Sequence, residues 1–309
     1  MILTVTLNPA IDIRYNFDNL EKNKINRVEN GKRTPGGKGL NVSRVIKRLG
    51  GDIIATGFLG GNNGKWIEDI LTLKGIENKF YPIMDETRVC LALIDKNGQT
   101  EILERGPKIS EKEQNYFLDN LEKNLSHIEI VCCSGSLPDG LEKKFYNKIL
   151  KICNKKNIKV ILDTSGVSLE KSLKEKPYLI KPNLEELENI LKKRLYSDFE
   201  IIVACKKLKK FGAENILVTL GENGGIFVGE EIYKIEIPKF ENVKNSVGSG
   251  DSTIAGIAFS LSRKKTLKDS LRYGIACGIS NALSYETGDV DINFIEKIVE
   301  NIKIVEMDA

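Results

Sequence analysis

The chain alternates short, β-rich apolar runs with segments of helical periodicity, and this alternation limits its fold more than any other feature. Residues 40–50 show the helical spacing, because apolar side chains recur at i, i+3, i+4 and i+7 from Val42 and Gly50 closes the pattern. We predict further helices near 65–75, 111–124, 142–156, 184–193, 198–211, 250–262, 266–286 and 292–302. We predict strands at 2–7, 53–58, 79–84, 128–133, 159–163, 178–181 and 215–220, with a hairpin at 226–228 and 232–237. This order predicts a single α/β domain over 1–309, in which a mostly parallel sheet carries helices on both faces.

A second group of strands interrupts the alternation. The runs 87–95 and 99–106 flank an Asn97-Gly98 step, which is a strong signal for a hairpin. The segment 11–33 has no helical period and could add strands to this second group. We therefore predict a small β-sheet lid, inserted into the domain at about 12–33 and 87–106.

Composition excludes several classes of protein. Lys and Arg number 47 against 43 Asp and Glu, and the net charge of +4 is spread along the chain, whereas nucleic-acid binding calls for a concentrated basic face. No run approaches the roughly 18 apolar residues of a membrane helix, and the N-terminus does not resemble a signal peptide. The six cysteines include no C-x-x-C pair, which argues against structural zinc. We expect a cytoplasmic protein with neither nucleic-acid nor membrane partners.

The segment Gly248-Ser249-Gly250-Asp251 leads directly into an apolar helix. Glycines let the backbone turn tightly, and the unpaired N–H groups of a helix start attract phosphate. His127 is the only histidine, so a general base is expected to be a carboxylate, and Asp251 is placed to accept a proton from an attacking hydroxyl group. Phosphoryl transfer needs these two elements, although an ordinary turn with Asp251 as a helix cap has the same pattern.

A second glycine-rich segment, residues 35–41, also opens a helix. It lacks the Walker A spacing, and no G-x-G-x-x-G follows a strand, so a dinucleotide-dependent oxidoreductase is disfavoured. Lys38 and Asn41 offer hydrogen-bond donors to a polar ligand that the glycine backbone could approach closely. A structural glycine turn would look the same.

The residues that follow two further strands are candidates for binding a nucleotide and a metal ion. Asn183 and Glu186 share one face of a first helical turn, as oxygen ligands of a hydrated Mg²⁺ could, but the same spacing predicts a capping box. The turn at residues 219–225 follows another strand and is rich in glycine. It could lie against a nucleotide or form a simple hairpin.

The order and spacing of these motifs resemble the ribokinase/PfkB family of sugar kinases, from Met1 nearly to the C-terminus. The resemblance implies a ribokinase-like, Rossmann-like three-layer sandwich, a β lid over the sugar, ATP and Mg²⁺ as cofactors, and a homodimer formed through the lid. It implies Asp251 as general base, with an anion hole at Gly248, Ser249 and Gly250. It assigns the sugar phosphate to Asp12, Lys24, Gly36, Gly37, Lys38, Asn41, Arg88 and Ser136, with Arg27 as a spare cation. It assigns ATP to Lys181, Asn183, Glu186, Thr219, Gly221, Glu222, Gly224, Gly248, Ser249, Gly250 and Asn281, with Glu186 and Asn183 also serving Mg²⁺, partly through water.

Within the family, several stretches are similar to the phosphosugar kinases. Residues 4–12, 134–138 and 162–166 match that branch, and 86–88 and 99–107 are most similar to tagatose-6-phosphate kinases. The resemblance implies ATP-dependent phosphorylation of a ketohexose phosphate, with D-tagatose 6-phosphate giving the 1,6-bisphosphate. A 1-phosphofructokinase is the alternative, and a non-catalytic sugar-phosphate sensor on the same fold is the alternative of another class.

Overall fold

The computed structural model describes residues 1–29 and 31–307. The strands, in chain order, are β1 (Ile2–Thr6), β2 (Ala10–Asn16), β3 (Lys32–Gly36), β4 (Ile53–Gly60), β5 (Glu77–Ile83), β6 (Arg88–Asp95), β7 (Gly98–Leu103), β8 (Ile130–Ser134), β9 (Lys159–Asp163), β10 (Leu179–Ile180), β11 (Asn215–Thr219), β12 (Gly225–Val228), β13 (Ile232–Glu236) and β14 (Lys303–Glu306). They form a ten-stranded sheet in the order β14-β13-β12-β11-β10-β9-β8-β1-β4-β5 and a four-stranded sheet in the order β3-β2-β6-β7.

The large sheet is parallel from β11 to β5, and β12, β13 and β14 extend it with antiparallel pairs. Its central strands are buried on both faces, which is why they are almost continuously apolar in the sequence. Alternate side chains therefore enter two separate cores, as Leu3 and Ile2 do. The predicted fold class, a mostly parallel sheet with a smaller separate sheet, is confirmed.

Ten helices surround the large sheet in the described part of the chain. They are α1 (Lys38–Arg48), α2 (Gly61–Leu73), α3 (Glu111–Lys123), α4 (Phe145–Asn154), α5 (Gly166–Ser172), α6 (Leu184–Leu191), α7 (Asp198–Lys210), α8 (Ser249–Ser262), α9 (Leu267–Ala282) and α10 (Ile292–Val299). Helices α3 to α7 pack on one core, while α1, α2, α8, α9 and α10 pack on the other. Within residues 1–29 and 31–307, no helix is both long enough and apolar enough to cross a bilayer.

The predicted elements are present, but several of their ends are displaced by up to about four residues and two further elements were missed. Helix α5 was not predicted, because its seven residues lack a side-chain cap and are too few to show a period. The segment predicted as a helix over 266–286 ends at Ala282. Strand β14 was also missed, because it is specified by antiparallel pairing with β13, about 70 residues earlier in the chain, rather than by a local pattern.

The four-stranded sheet stands apart from the large one, as the hairpin signal indicated. Strands β6 and β7 form the hairpin, and β2 joins β6 in parallel while pairing antiparallel with β3. Strand β5, which precedes the hairpin, instead extends the large sheet beside β4. The small sheet is thus built from two parts of the chain that lie far apart in sequence.

Candidate active site

A cavity of 1090 Å³ lies at the carboxyl ends of the parallel strands, with strands of the small sheet along one side. This is where ligands bind in open α/β sheets, because strand ends, loops and helix starts meet there. The predicted residues that line it are Asp12, Gly37, Lys38, Asn41, Arg88, Ser136, Lys181, Asn183, Glu186, Thr219, Gly221, Glu222, Gly224, Gly248, Ser249, Gly250 and Asp251. The fold thus brings all but three of the predicted site residues to one cavity.

Asp251 lies in the first turn of α8 and is almost fully buried. Its Oδ2 accepts a hydrogen bond of 2.8 Å from Nδ2 of Asn41 on α1. Burial, and then the charge of Asp163, raise the pKa of Asp251 to about 6, although Lys38, Asn41 and Lys181 act in the opposite direction. A carboxylate with a pKa near neutrality is suited to accept a proton during a reaction at physiological pH.

The glycine segment before Asp251 has the conformation of an anion site. This anion segment comprises Gly248, Ser249 and Gly250. Gly248 caps α8 with φ of 82°, a left-handed value that favours glycine. The N–H groups of Gly250 and Asp251 lie in the first helical turn, where the helix supplies no acceptor. A Cβ atom added at Gly250 would lie 2.8 Å from Nζ of Lys181, so the ammonium group of Lys181 is close to the backbone of the anion segment.

Asn281, predicted as a nucleotide contact, lies behind this segment and does not line the cavity. It is fully buried on α9. Its Nδ2 donates to the carbonyl oxygen of Val247 and to Oγ of Ser249, and its Oδ1 accepts from N–H of Gly288 and from Oγ of Ser252. Asn281 therefore supports the shape of the anion segment from below.

Asp163, at the end of β9, is a central member of the site to which we assigned no role from the sequence. It is buried and lies 3.4 Å from Nζ of Lys38 and 3.8 Å from Nζ of Lys181. Burial alone would raise its pKa, but the charges of Lys181 and Lys38 outweigh that effect and lower the pKa of Asp163. The charge of Asp163 in turn raises the pKa of Lys38. The two lysines are thus held as fixed cations facing the cavity.

Asn183 and Glu186 form a complete capping box at the start of α6, as one interpretation of this motif predicted, and both residues also line the cavity. Asn183 N–H donates to Oε2 of Glu186 at 3.0 Å, which leaves Oε1 of Glu186 outside the cap. No group of three or more His, Cys, Asp or Glu side chains capable of holding a metal occurs in residues 1–29 and 31–307. A carboxylate oxygen outside the cap, on a residue that lines the cavity, fits a hydrated cation that takes one or two protein oxygens and completes its shell with water and phosphate.

Asp12 and Arg88 lie on strands of the small sheet, at the opposite end of the cavity. Burial raises the pKa of Asp12 to about 6, against the charges of Arg44 and Arg88. Gly36 lies behind Asp12 rather than in the cavity, and a Cβ there would fall 2.0 Å from Cγ of Asp12. Arg88 donates to the carbonyl oxygens of Glu104 and Asn8, so its guanidinium group is held in place.

Several buried polar atoms near this end have no protein partner. They are Thr6 Oγ1, Asn8 Oδ1, Ser134 Oγ and Arg88 Nε, and all four residues line the cavity. A buried polar group without a partner costs roughly 1 to 3 kcal/mol, so such groups are usually completed by a ligand or water. The sequence assigned no role to Thr6, Asn8 and Ser134, although each lies at or just beyond a strand end, which was the available signal.

The other end of the cavity has apolar walls. Their apolar side chains come from two segments and stand beside the turn at residues 219–224 and the anion segment; they are Ile237, Pro238, Phe240, Val243, Ile275, Ile279, Ala282 and Leu283. Apolar walls next to an anion site fit the base and phosphates of a nucleotide. No local motif marks these residues, so the sequence did not indicate them.

Lys24 does not lie in the cavity. It is exposed and pairs with Glu21, three residues earlier in the same connection between β2 and β3. Neither Lys24 nor Arg27 lines the cavity. The cations that line the half of the cavity beside the small sheet are instead Arg14, Lys32, Lys38 and Arg88.

Comparison with known proteins agrees with this arrangement. The model of the pfkB family of carbohydrate kinases matches residues 5–292. A tagatose-6-phosphate kinase of Staphylococcus epidermidis is 40% identical over 99% of this chain and 100% of its own length. Phosphofructokinase-2 of Escherichia coli in complex with potassium superposes with a TM-score of 0.91 at 26% identity, covering 97% of this chain and 98% of that one. Its tetrameric inhibited form gives a TM-score of 0.88. A Thermotoga maritima protein described as a possible 1-phosphofructokinase gives 0.90 at 26% identity and covers 99% of both chains.

Proposed function

Because the chain belongs to the pfkB family of carbohydrate kinases, we propose that its cavity transfers the γ-phosphoryl group of ATP to a hydroxyl group of a ketohexose phosphate. The observation that carries this proposal is the position of Asp251. A buried carboxylate with a raised pKa stands at the start of α8, directly beside unpaired backbone amides and two buried or half-buried lysines. Phosphoryl transfer requires this combination of a proton acceptor and stabilisation of charge.

In this mechanism the Asp251 carboxylate accepts the proton of the acceptor hydroxyl group. That oxygen forms a bond to the γ-phosphorus as the bond to the β-phosphate oxygen breaks, and ADP leaves. The amides of the anion segment and the ammonium groups of Lys38 and Lys181 face the transferring group and stabilise its charge. Asp163 holds both lysines in place throughout.

The divalent cation belongs on the phosphate side. We assign Mg²⁺ to Glu186, with Asn183 contributing partly through water, because Oε1 of Glu186 stays outside the capping box while facing the cavity. When bound, Mg²⁺ would neutralise charge on the phosphates of ATP. The protein's own contribution is a fixed carboxylate on a capped, rigid helix start.

The acceptor we favour is D-tagatose 6-phosphate, phosphorylated at C1. Its support is the 40% identity, over nearly the full chain, to a tagatose-6-phosphate kinase. The unpartnered atoms of Thr6, Asn8 and Ser134 further suit a ligand with several hydroxyl groups. Fructose 1-phosphate is the second candidate, because the fold superposes with a TM-score of 0.90 on a protein described as a possible 1-phosphofructokinase.

The test is a coupled assay of ADP release with MgATP, which compares kcat/KM for tagatose 6-phosphate, fructose 1-phosphate and fructose 6-phosphate. We expect tagatose 6-phosphate to be preferred, with activity falling about tenfold per pH unit below a pH of about 6 as Asp251 becomes protonated. Preference for fructose 1-phosphate would keep the mechanism and reverse which end of the sugar faces Asp251. Binding of a sugar phosphate without turnover would favour the sensor instead.

We also propose that two copies associate through the small sheet. All six residues of β7 are exposed, including Ile102 and Leu103, on a strand with no partner on its outer edge in the described part of the chain. An exposed strand of this kind commonly pairs with another chain. Light scattering should give a dimer mass for the protein and a monomer mass for Ile102→Lys, whereas a monomeric parent protein would refute the proposal.

A further inference from the structure

Arg44 lies on α1, one turn after Asn41, and its side chain is largely buried. Its Nη2 donates to Oδ1 of Asn41 at 2.6 Å and to the carbonyl oxygen of Thr287 at 2.9 Å. Arg44 is not among the residues that line the cavity. Its only link to Asp251 through hydrogen bonds in the described residues passes through Asn41.

The two bonds of Asn41 determine how its side-chain amide is oriented. A guanidinium group only donates hydrogen bonds, so the atom of Asn41 that faces Arg44 must be the oxygen. The amide NH₂ then points to Asp251, where an ionised carboxylate only accepts. Without Arg44 the amide could rotate by half a turn, which would direct its oxygen at the carboxylate. The guanidinium group therefore selects the orientation that favours an ionised Asp251.

We propose that Arg44 is a positioning residue for the general base, acting through the side-chain amide of Asn41 on Asp251. The inference rests on the proposed kinase function, since it assigns Arg44 a part in that same site. It also predicts that Arg44 matters for the rate of transfer and for the proton affinity of Asp251, and not for the binding of ATP.

Several charged groups surround the contacts from Arg44 through Asn41 to Asp251. Asp251 faces Asp163, Lys38 and Lys181 on its other sides. Arg44 faces Asp12, Asp251, Glu286 and Asp289. The hydrogen bond from Asn41 lowers the pKa of Asp251, so losing the correct amide orientation would raise that pKa further.

The second bond of Arg44 goes to the loop behind the anion segment. Thr287, whose carbonyl oxygen accepts from Arg44, lies against Gly248, where an added Cβ would fall 2.6 Å from Cγ2 of Thr287. Gly288 next to it donates to Asn281, which supports the same segment. Arg44 thus contacts both the amide that orients the base and the loop that backs the anion site.

The first experiment compares Arg44→Met with Arg48→Met. Arg48 lies on the same helix and anchors the connection between α9 and α10, to which Thr287 also belongs. It does so through the carbonyl oxygen of Val290 and an ion pair with Asp289, and it makes no hydrogen bond to Asn41. We expect Arg44→Met to lower kcat about 10-fold to 100-fold, the effect of a lost hydrogen bond to a charged group, with KM for ATP changed less than about threefold. Arg48→Met should stay within about twofold of the parent protein. If both variants lose kcat equally, Arg44 only anchors the connection between α9 and α10, and the proposal is overturned.

The second experiment tests whether Arg44 acts through Asn41. In a double-mutant cycle, Arg44→Met should change kcat by less than about threefold once Asn41→Ala is present. If the double variant instead loses kcat by the product of the two single-variant losses, the two residues act independently and the proposed route through Asn41 is overturned.

A titration that needs no turnover separates this inference from the proposed reaction. Carbon-13 NMR of aspartate side chains, with Asp251→Asn as the assignment control, should show the pKa of Asp251 about one unit higher in Arg44→Met than in the parent protein. An unchanged titration in a folded Arg44→Met would overturn the inference even if the kinase activity is confirmed. A shifted titration would support it even if no sugar phosphate tested is turned over.

Discussion

Asp251→Asn should make the protein less active and more stable at the same time. Burial raises the pKa of Asp251 to about 6 in the folded chain, from an ordinary value near 3.9 in the unfolded chain. Because the folded-state pKa is the higher one, ionised Asp251 destabilises the fold. The penalty is absent below about pH 4 and complete above about pH 7. Two pKa units correspond to about 3 kcal/mol of unfolding free energy.

Asparagine removes the charge and keeps the shape, so the variant should gain up to about 3 kcal/mol at pH 7.5 and about half of that at pH 5. For 309 residues the unfolding entropy is roughly 0.6 kcal/mol/K, so the midpoint temperature should rise by about 4 to 5 °C at pH 7.5. The rate should fall about 10²-fold to 10⁴-fold, as for loss of a general base.

The assay is thermal unfolding of the parent protein and Asp251→Asn from pH 5 to pH 8, with kcat measured on the same preparations. Asp69→Asn is the matched control, because Asp69 is an exposed aspartate paired with Lys65 on α2, and an exposed ion pair contributes little to stability. A stability difference that is independent of pH, or an Asp251→Asn variant that is less stable than the parent at pH 7.5, would refute the reasoning.

Three further predictions follow from the contacts of the site. Asp163→Asn should lose about 3 to 5 kcal/mol in urea unfolding, since it leaves the buried Lys181 without its counter-charge; a loss below about 1 kcal/mol would contradict the buried pair. Glu186→Gln can keep the helix cap through its side-chain oxygen while losing the negative charge, so it should fold normally and need a higher Mg²⁺ concentration for half-maximal rate, with a decrease in kcat/KM for ATP of about tenfold or more. An unchanged Mg²⁺ dependence would remove Glu186 from the metal site. Gly36→Ala should raise KM for the sugar phosphate at least about tenfold while leaving KM for ATP unchanged, because the new Cβ would displace the Asp12 carboxylate; equal changes in both constants would indicate a general loss of structure instead.

The sequence alone determined the layered fold and the glycine turn that opens α8, because both follow from local patterns in the chain. Strands that are buried on two faces must be apolar almost throughout, and the helices between them must show an apolar stripe. The alternation of strands and helices could therefore be predicted without tertiary information. Gly248 marks a left-handed backbone conformation that few other residues adopt, and the Asn97-Gly98 step marks the hairpin of the small sheet.

Only the tertiary structure decided which polar side chains share the site and in what roles. Lys38 and Asp163 are 125 residues apart in the chain, and Asn41 and Asp251 are 210 residues apart. Lys24 sits on a connection that turns away from the cavity, although its charge suited a phosphate. Asn281 and Arg44 act from behind the cavity wall, where no local motif distinguishes a support from a ligand contact. Such pairings depend on which strand ends and helix starts the folded sheet brings together, and side-chain identity along the chain does not carry that information.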